Sequence, residues 1–205
     1  MKMLITGGRV FVSKFTAEYF ACSGHEVYVI NRGSRPQPAG VTLINSDRHS
    51  LGGSLKGMYF DAVLPDICVY NEKDISRLLE ALDSYNDCIF ISLSAVYPET
   101  LKQPFNERQR TGGNKIWGAY GAGKRAAEEY LLQHDRQAYI LRPPCLYGPM
   151  QNPYRGPFVF DCAELKRKFY IPQKGEMKLQ LFCIRPLCFY RKTFDPASGA
   201  ENIQR

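Results

Sequence analysis

No apolar run in this chain approaches the roughly 18–20 residues needed to cross a bilayer, which excludes a helical membrane span. The opening stretch, MKMLITGG, lacks the charged, apolar and small-residue regions of a secretory leader, so a cytoplasmic location is the expectation. Histidine is scarce: His25, His49 and His134 stand far apart, and none has metal-ligand spacing. The seven cysteines are odd in number and scattered, without a C-x-x-C pair. That pattern argues against a disulfide framework and against a zinc site, and leaves most of the thiols as small buried hydrophobes. Internal repeats and low-complexity segments are absent as well. Acidic residues are the minority, 20 against 27 basic, for a formal net charge of +7. The excess gathers loosely at 107–115, at 165–168 and near the C-terminus, without a long Lys/Arg run. It therefore reads first as solvated surface, and it also suits a pocket for a phosphate-rich ligand.

What is present is the alternation of an α/β protein. A chain of 205 residues that is 44% hydrophobic has material for one full core and a fragment of a second domain. Apolar runs at 2–6, 26–30, 41–44, 61–65, 88–94 and 138–142 read as strands. Helical spacing recurs at 11–23, 74–85 and 120–134. Strand–helix alternation over some 140 residues predicts a doubly wound parallel sheet with helices on both faces, its binding crevice at the carboxyl ends of the strands. The final third changes character. RPPCLYGPMQNPYRGP at 142–157 is expected to be a long loop, followed by a helix over 159–168 and a short strand within 177–184. A helix is not expected to run through Pro186, although one can start there. The tail from Arg191 has neither period. The domain reading is 1–150 for a nucleotide-binding domain and 151–205 for a partial second lobe and tail.

Three motifs carry chemistry. Thr6-Gly7-Gly8-Arg9-Val10-Phe11-Val12-Ser13 lies where the first strand hands over to the first helix, the place where glycines let the backbone and a helix N-terminus meet a pyrophosphate. At the end of the second strand, Asn31-Arg32 replaces the acidic residue usual for NAD, and an arginine there suits a 2′-phosphate. The cofactor expected is therefore NADP, with NAD as the alternative. Tyr120 and Lys124, at i and i+4, share one helix face. An ammonium beside the phenol lowers its pKa, so that Tyr120 can exchange a proton with a substrate hydroxyl or carbonyl.

These motifs, in this order, resemble the extended short-chain dehydrogenase/reductases, specifically the NAD-dependent epimerase/dehydratase family. The resemblance runs over about residues 1–188. It implies a Rossmann-type domain with an incomplete, truncated or altered substrate lobe, and a nicotinamide cofactor held by the turn at Gly7, Gly8, Val10, Phe11 and Val12. Asn31, Arg32, Asp47, Tyr120, Lys124 and Pro143 would complete that site, with Asp47 at the adenine and Pro143 beside the nicotinamide. It also implies an oxidoreductase or epimerase on a nucleotide-linked sugar, with Tyr120 as acid/base, Lys124 as its electrostatic partner and Ser94 as hydrogen-bond donor to the reacting oxygen. The chain departs from the family pattern at three places. Val10 and Ser13 stand where glycines are usual, and Leu93 stands four residues before Tyr97, where the family keeps a serine or threonine. Those departures leave a non-catalytic dinucleotide sensor or scaffold as the competing reading. A third is RNA binding, after the stem-loop-binding chloroplast proteins that the glycine turn also resembles, although no RNP-like interleaving of aromatic and basic residues is present. The helices at 74–85 and 120–134 match those through which the family usually dimerises, so the resemblance admits a homodimer without fixing the oligomeric state.

Overall fold

The computed structural model describes residues 1–66, 69–154, 156–176 and 180–192. They fall into two compact units, Met1–Pro143 and the stretch from Pro144 onward.

The first unit is built on six parallel strands: β1 (Lys2–Thr6), β2 (Glu26–Asn31), β3 (Val41–Asn45), β4 (Tyr59–Leu64), β5 (Ser84–Ile91) and β6 (Tyr139–Leu141). Their order is β3-β2-β1-β4-β5-β6, so the winding reverses between β1 and β4. This is the Rossmann-type doubly wound sheet. Met3, Leu4 and Ile5 in β1 have no solvent exposure, because both faces of this central strand are covered. Successive side chains alternate between the faces. On one face, Leu4, Val63 and Phe90 pack with Ile75 and Leu78 of α2 (Glu72–Ala81) and with Ala127 and Leu131 of α3 (Gly118–His134). The other face carries α1 (Phe11–Cys22), which buries Val12, Ala17 and Phe20. Among the described residues no helix is long and apolar enough to cross a membrane.

The expected strands and helices of this unit are present, with boundaries displaced around α2 and β5, the strand ending at Ile91 and not at Ser94. The helix expected over 74–85 is α2, which ends at Ala81, and β5 begins at Ser84 rather than at Cys88. Asn71 starts α2 by accepting the Asp74 amide at 3.1 Å, while the Asp74 carboxylate accepts the Tyr70 amide at 2.9 Å, a reciprocal cap. Leu82 then turns to extended backbone. Ser84, Tyr85 and Asp87 pair with Tyr59, Phe60 and Ala62 of β4. These are half-exposed polar positions that lack the apolar run by which the rest of β5 is recognised.

The second unit differs from expectation more. Within the expected loop, β7 (Cys145–Tyr147) forms a parallel pair with β8 (Leu181–Cys183). The helix α4 spans Gly156–Glu164 and not 159–168. It closes in a Schellman motif: Lys166 is left-handed at φ 52°, with the Arg167 amide on the Cys162 carbonyl at 2.8 Å and the Lys166 amide on Ala163 at 3.3 Å. A further helix, α5 (Ile184–Lys192), runs through Pro186, contrary to expectation. Pro186 is its third residue, and first-turn amides have no intrahelical acceptor, so the missing N–H forfeits no bond. Of the strand expected within 177–184, residues 177–179 lie outside the described residues, as does the tail from 193.

Candidate functional site

The strand order makes a crevice where the carboxyl ends of β1, β2 and β3 meet the segment leading into α2. Gly7 and Gly8 turn the chain out of β1 with φ of 94° and 82°, left-handed values that favour glycine. At Gly8 a side chain has no room: an added Cβ would stand 2.6 Å from Val29 Cγ1. The turn is fastened to β2 by the Gly7 amide on the Ile30 carbonyl at 3.0 Å and by Asn31 Nδ2 on the Gly7 carbonyl at 2.6 Å. Val10 precedes α1 in extended conformation and gives its amides no side-chain cap. Val12 and Ser13 are buried, and neither is among the residues lining the crevice. Ser13, at the third glycine position, turns its hydroxyl back to the Val10 carbonyl at 3.1 Å.

The cleft beside this turn has a volume of about 190 Å³. Thr6, Gly7, Arg9, Asn31, Arg32, Asp47 and Arg48 are among the residues on its walls. It is smaller than the roughly 300–1,000 Å³ of a complete small-molecule pocket. Asn31 is fully engaged here. Beyond Gly7, its amide group donates to Gln37 Oε1 at 2.9 Å and its oxygen accepts the Gly33 amide at 2.9 Å. Arg32 is mostly exposed and lies 3.8 Å from Asp47. The Asp47 carboxyl is held below its ordinary range, first by the His49 backbone amide at 2.9 Å and further by Arg32. Arg35 is exposed, outside this lining. Arg9 and Arg48 were not singled out in the sequence. The signal was there for Arg9, which directly follows the glycine pair.

The catalytic candidates gather at the ends of β4, β5 and β6. Thr6 Oγ1 accepts the Asp66 amide at 2.8 Å, tying β1 to β4 at the switch point. Tyr120 lies on α3, its ring 6.2 Å from those of Tyr70 and Trp117. Its phenol is raised above the ordinary value by burial, then by Tyr70 and Asp66. The expected lowering by Lys124 is not what the structure has. Lys124 has no solvent exposure, its ammonium donates to the Ile91 carbonyl at 2.9 Å, and it stands 4.7 Å over the Phe90 ring. The sequence places Tyr120 and Lys124 on one helix face, but the side chain of Lys124 dips into the sheet. Ser94 opens a short 3-10 turn (Ser94–Val96) after β5, and its amide donates to the Pro143 carbonyl at 3.0 Å, bringing those two candidates together. Among the described residues the Ser94 and Tyr120 hydroxyls have no hydrogen-bond partner. Ser92, directly after β5, is buried with its hydroxyl unsatisfied. No cluster of His, Cys, Asp and Glu among the described residues could hold a metal ion.

Residues 66–167 match the model of the NAD dependent epimerase/dehydratase family. Among solved structures, the chain resembles UDP-glucuronic acid 4-epimerase from Bacillus cereus, in complex with UDP-glucuronic acid and NAD. The TM-score is 0.74 at 20% identity, over 99% of this chain and 75% of that one. UDP-glucose 4-epimerase from Thermotoga maritima, with UDP-glucose, gives a TM-score of 0.74 at 18% identity, over 96% and 74%. For dTDP-glucose 4,6-dehydratase from Bacillus anthracis str. Ames, in complex with NAD, the TM-score is 0.73 at 16% identity, over 98% and 73%. Likeness at these identities is likeness of fold. No curated protein matches the chain by sequence.

Proposed function

Because this chain belongs to the NAD-dependent epimerase/dehydratase family, we propose that it binds NADP in the cleft at the ends of β1, β2 and β3 and acts on a nucleotide-linked sugar as an oxidoreductase or epimerase. The observation that carries this reading is the cleft itself, with a bare glycine turn on one wall and arginines on the others. The donor set fits a dinucleotide. The backbone of Gly7, Gly8, Val10, Phe11 and Val12 and the uncapped start of α1 suit a pyrophosphate. Asn31 holds the turn to β2, and Arg32 and Asp47 border the adenosine end. Pro143, whose carbonyl accepts the Ser94 amide at 3.0 Å, would stand beside the nicotinamide.

When bound, a nicotinamide dinucleotide supplies the acceptor and donor of hydride. The protein's part is proton handling and orientation. Tyr120 holds a proton on its phenol oxygen and exchanges it with a sugar hydroxyl or carbonyl, the Ser94 hydroxyl hydrogen-bonds the same oxygen, and the Lys124 ammonium stabilises the phenolate. For that, Lys124 must leave the Ile91 carbonyl, to which its ammonium donates.

That same position favours a second reading, a dinucleotide-binding protein without turnover. Titration with NADPH and NADH, by nicotinamide fluorescence and calorimetry, tests the shared premise. Micromolar binding supports it, and no binding of either sinks both readings. Incubation of the loaded protein with UDP-sugars then separates the two: turnover lost in Tyr120→Phe supports the enzyme, while binding without turnover supports the sensor.

A further inference from the structure

Three arginines line the cleft, and they are not equivalent. Arg32 is 67% exposed and stands 3.8 Å from the Asp47 carboxylate, so its charge is both screened by water and largely offset. Arg48 donates from Nε to His49 Nε2 at 3.2 Å and lies 4.9 Å over the ring of Tyr70, an arrangement that commits its guanidinium face. Arg9 differs from both. It is half-buried, has no carboxylate partner among the described residues, and is held by a hydrogen bond from Nη1 to the Ser34 hydroxyl.

That bond fixes where Arg9 points. Ser34 belongs to the loop after β2, two residues beyond Arg32. Arg9 therefore reaches from the glycine turn across to the end of β2, where a Rossmann sheet places the adenosine ribose of its ligand. A cofactor without a ribose phosphate is normally recognised there by a carboxylate that accepts the ribose hydroxyls. The corresponding residue here, Asn31, is neutral and spends its side chain on Gly7, Gln37 and Gly33. The ribose end of the cleft thus offers an uncompensated guanidinium and no free carboxylate. A planar fork of N–H donors matches a phosphate monoester dianion, and it does so best when its own rotamer is already held.

We propose that Arg9, positioned by Ser34, is the residue that selects an adenosine dinucleotide phosphorylated on its ribose, in place of the better-placed-looking Arg32. This rests on the dinucleotide reading above, and it assigns cofactor choice to the glycine turn and not to the end of β2.

The test measures dissociation constants of NADPH and NADH by calorimetry for the parent chain, Arg9→Ala, Arg9→Lys, Ser34→Ala and Arg32→Ala. Adenosine 2′,5′-bisphosphate and 5′-AMP serve as probes that lack nicotinamide, and melting curves verify that each variant is folded. Arg9→Ala is expected to weaken NADPH on the order of tenfold or more, and NADH by less than about twofold. Arg9→Lys keeps the charge without the fork and should fall between. Ser34→Ala should weaken NADPH several-fold, and Arg32→Ala less than Arg9→Ala. Equal loss of both dinucleotides in Arg9→Ala would mean that Arg9 meets the shared pyrophosphate, which overturns the proposal. An unchanged NADPH-to-NADH ratio in Arg9→Ala overturns it too, while leaving the dinucleotide reading standing. If the parent chain binds neither dinucleotide but binds the bisphosphate in an Arg9-dependent way, the dinucleotide reading fails and the ribose-phosphate site survives. If nothing binds, both fall.

Discussion

Tyr120 holds its phenol in a setting that opposes ionisation: burial first, then the neighbouring Tyr70 and Asp66, raise it above the ordinary value near 10. Tyr85 is pushed further in the same direction, first by burial and then by Cys88 and Asp135, the last of which accepts its hydroxyl at 3.1 Å. The sign of the consequence for stability is fixed by linkage. Between the unfolded value and the raised folded one, the native state binds more protons than the unfolded chain, so stability is intact below about pH 10 and falls as pH rises beyond it. Urea denaturation at pH 8, 9.5 and 10.5 should show that fall, and Tyr85→Phe should flatten it while lowering the pH 8 value slightly. An equally steep decline in Tyr85→Phe would remove Tyr85 as its cause. At Gly8 the constraint is steric. Alanine there combines a left-handed backbone with contact on Val29, together roughly 2–4 kcal/mol in a urea titration. The same change should abolish dinucleotide binding, because the turn must shift to accommodate the methyl group.

Among the elements, α3 shows how much was legible and where legibility stopped. Its period placed Tyr120 and Lys124 on one face, and the helix is there. Between them lie Gly121 and Gly123. In the structure an added Cβ on Gly121 would stand 2.7 Å from the Ala95 carbonyl oxygen, and one on Gly123 2.5 Å from that of Tyr70. Those glycines let the start of α3 touch the turn after β5 and the segment before α2 at once, which sets Tyr120 at the switch point. Periodicity reports which face a residue occupies, but not a side chain's rotamer, and so the dip of Lys124 onto Ile91 was beyond it. The same limit hid the partner of Arg142. Arg142 opens the proline-rich stretch 142–157 that the sequence reads as a long loop. It is in fact clamped from β6 onto α3, with Nη2 on Glu128 Oε2 at 2.7 Å, Nε on both carboxylate oxygens at 3.1 Å, and Nη1 on the Tyr97 hydroxyl at 2.8 Å. Glu128 is 2% exposed. Removing one partner strands the other, so Glu128→Ala should cost about 3–5 kcal/mol, whereas the double change Glu128→Leu with Arg142→Met should cost far less. A double-mutant cycle in urea measures both, and additive losses would show that the two side chains do not act as a pair.

At the scale of the molecule, the cleft and every candidate residue of the site lie within Met1–Pro143, the unit organised by the parallel sheet. The segment from Pro144 onward has its own small pair of strands and its own helices. A ligand that binds only the native state stabilises it by an amount set by its concentration relative to Kd, about 2.7 kcal/mol at a hundredfold excess. The stabilisation should be local in origin. Hydrogen exchange read by mass spectrometry, with and without saturating NADPH, is expected to slow in peptides covering residues 5–14, 30–35 and 45–50, where the glycine turn and the ends of β2 and β3 meet the cleft. Peptides of α4 and β8 should exchange at unchanged rates, because nothing in the cleft's lining comes from them. Protection centred on α4 instead would put the ligand outside the sheet's crevice, and the assignment of Gly7, Arg9 and Arg32 to its binding would have to be given up.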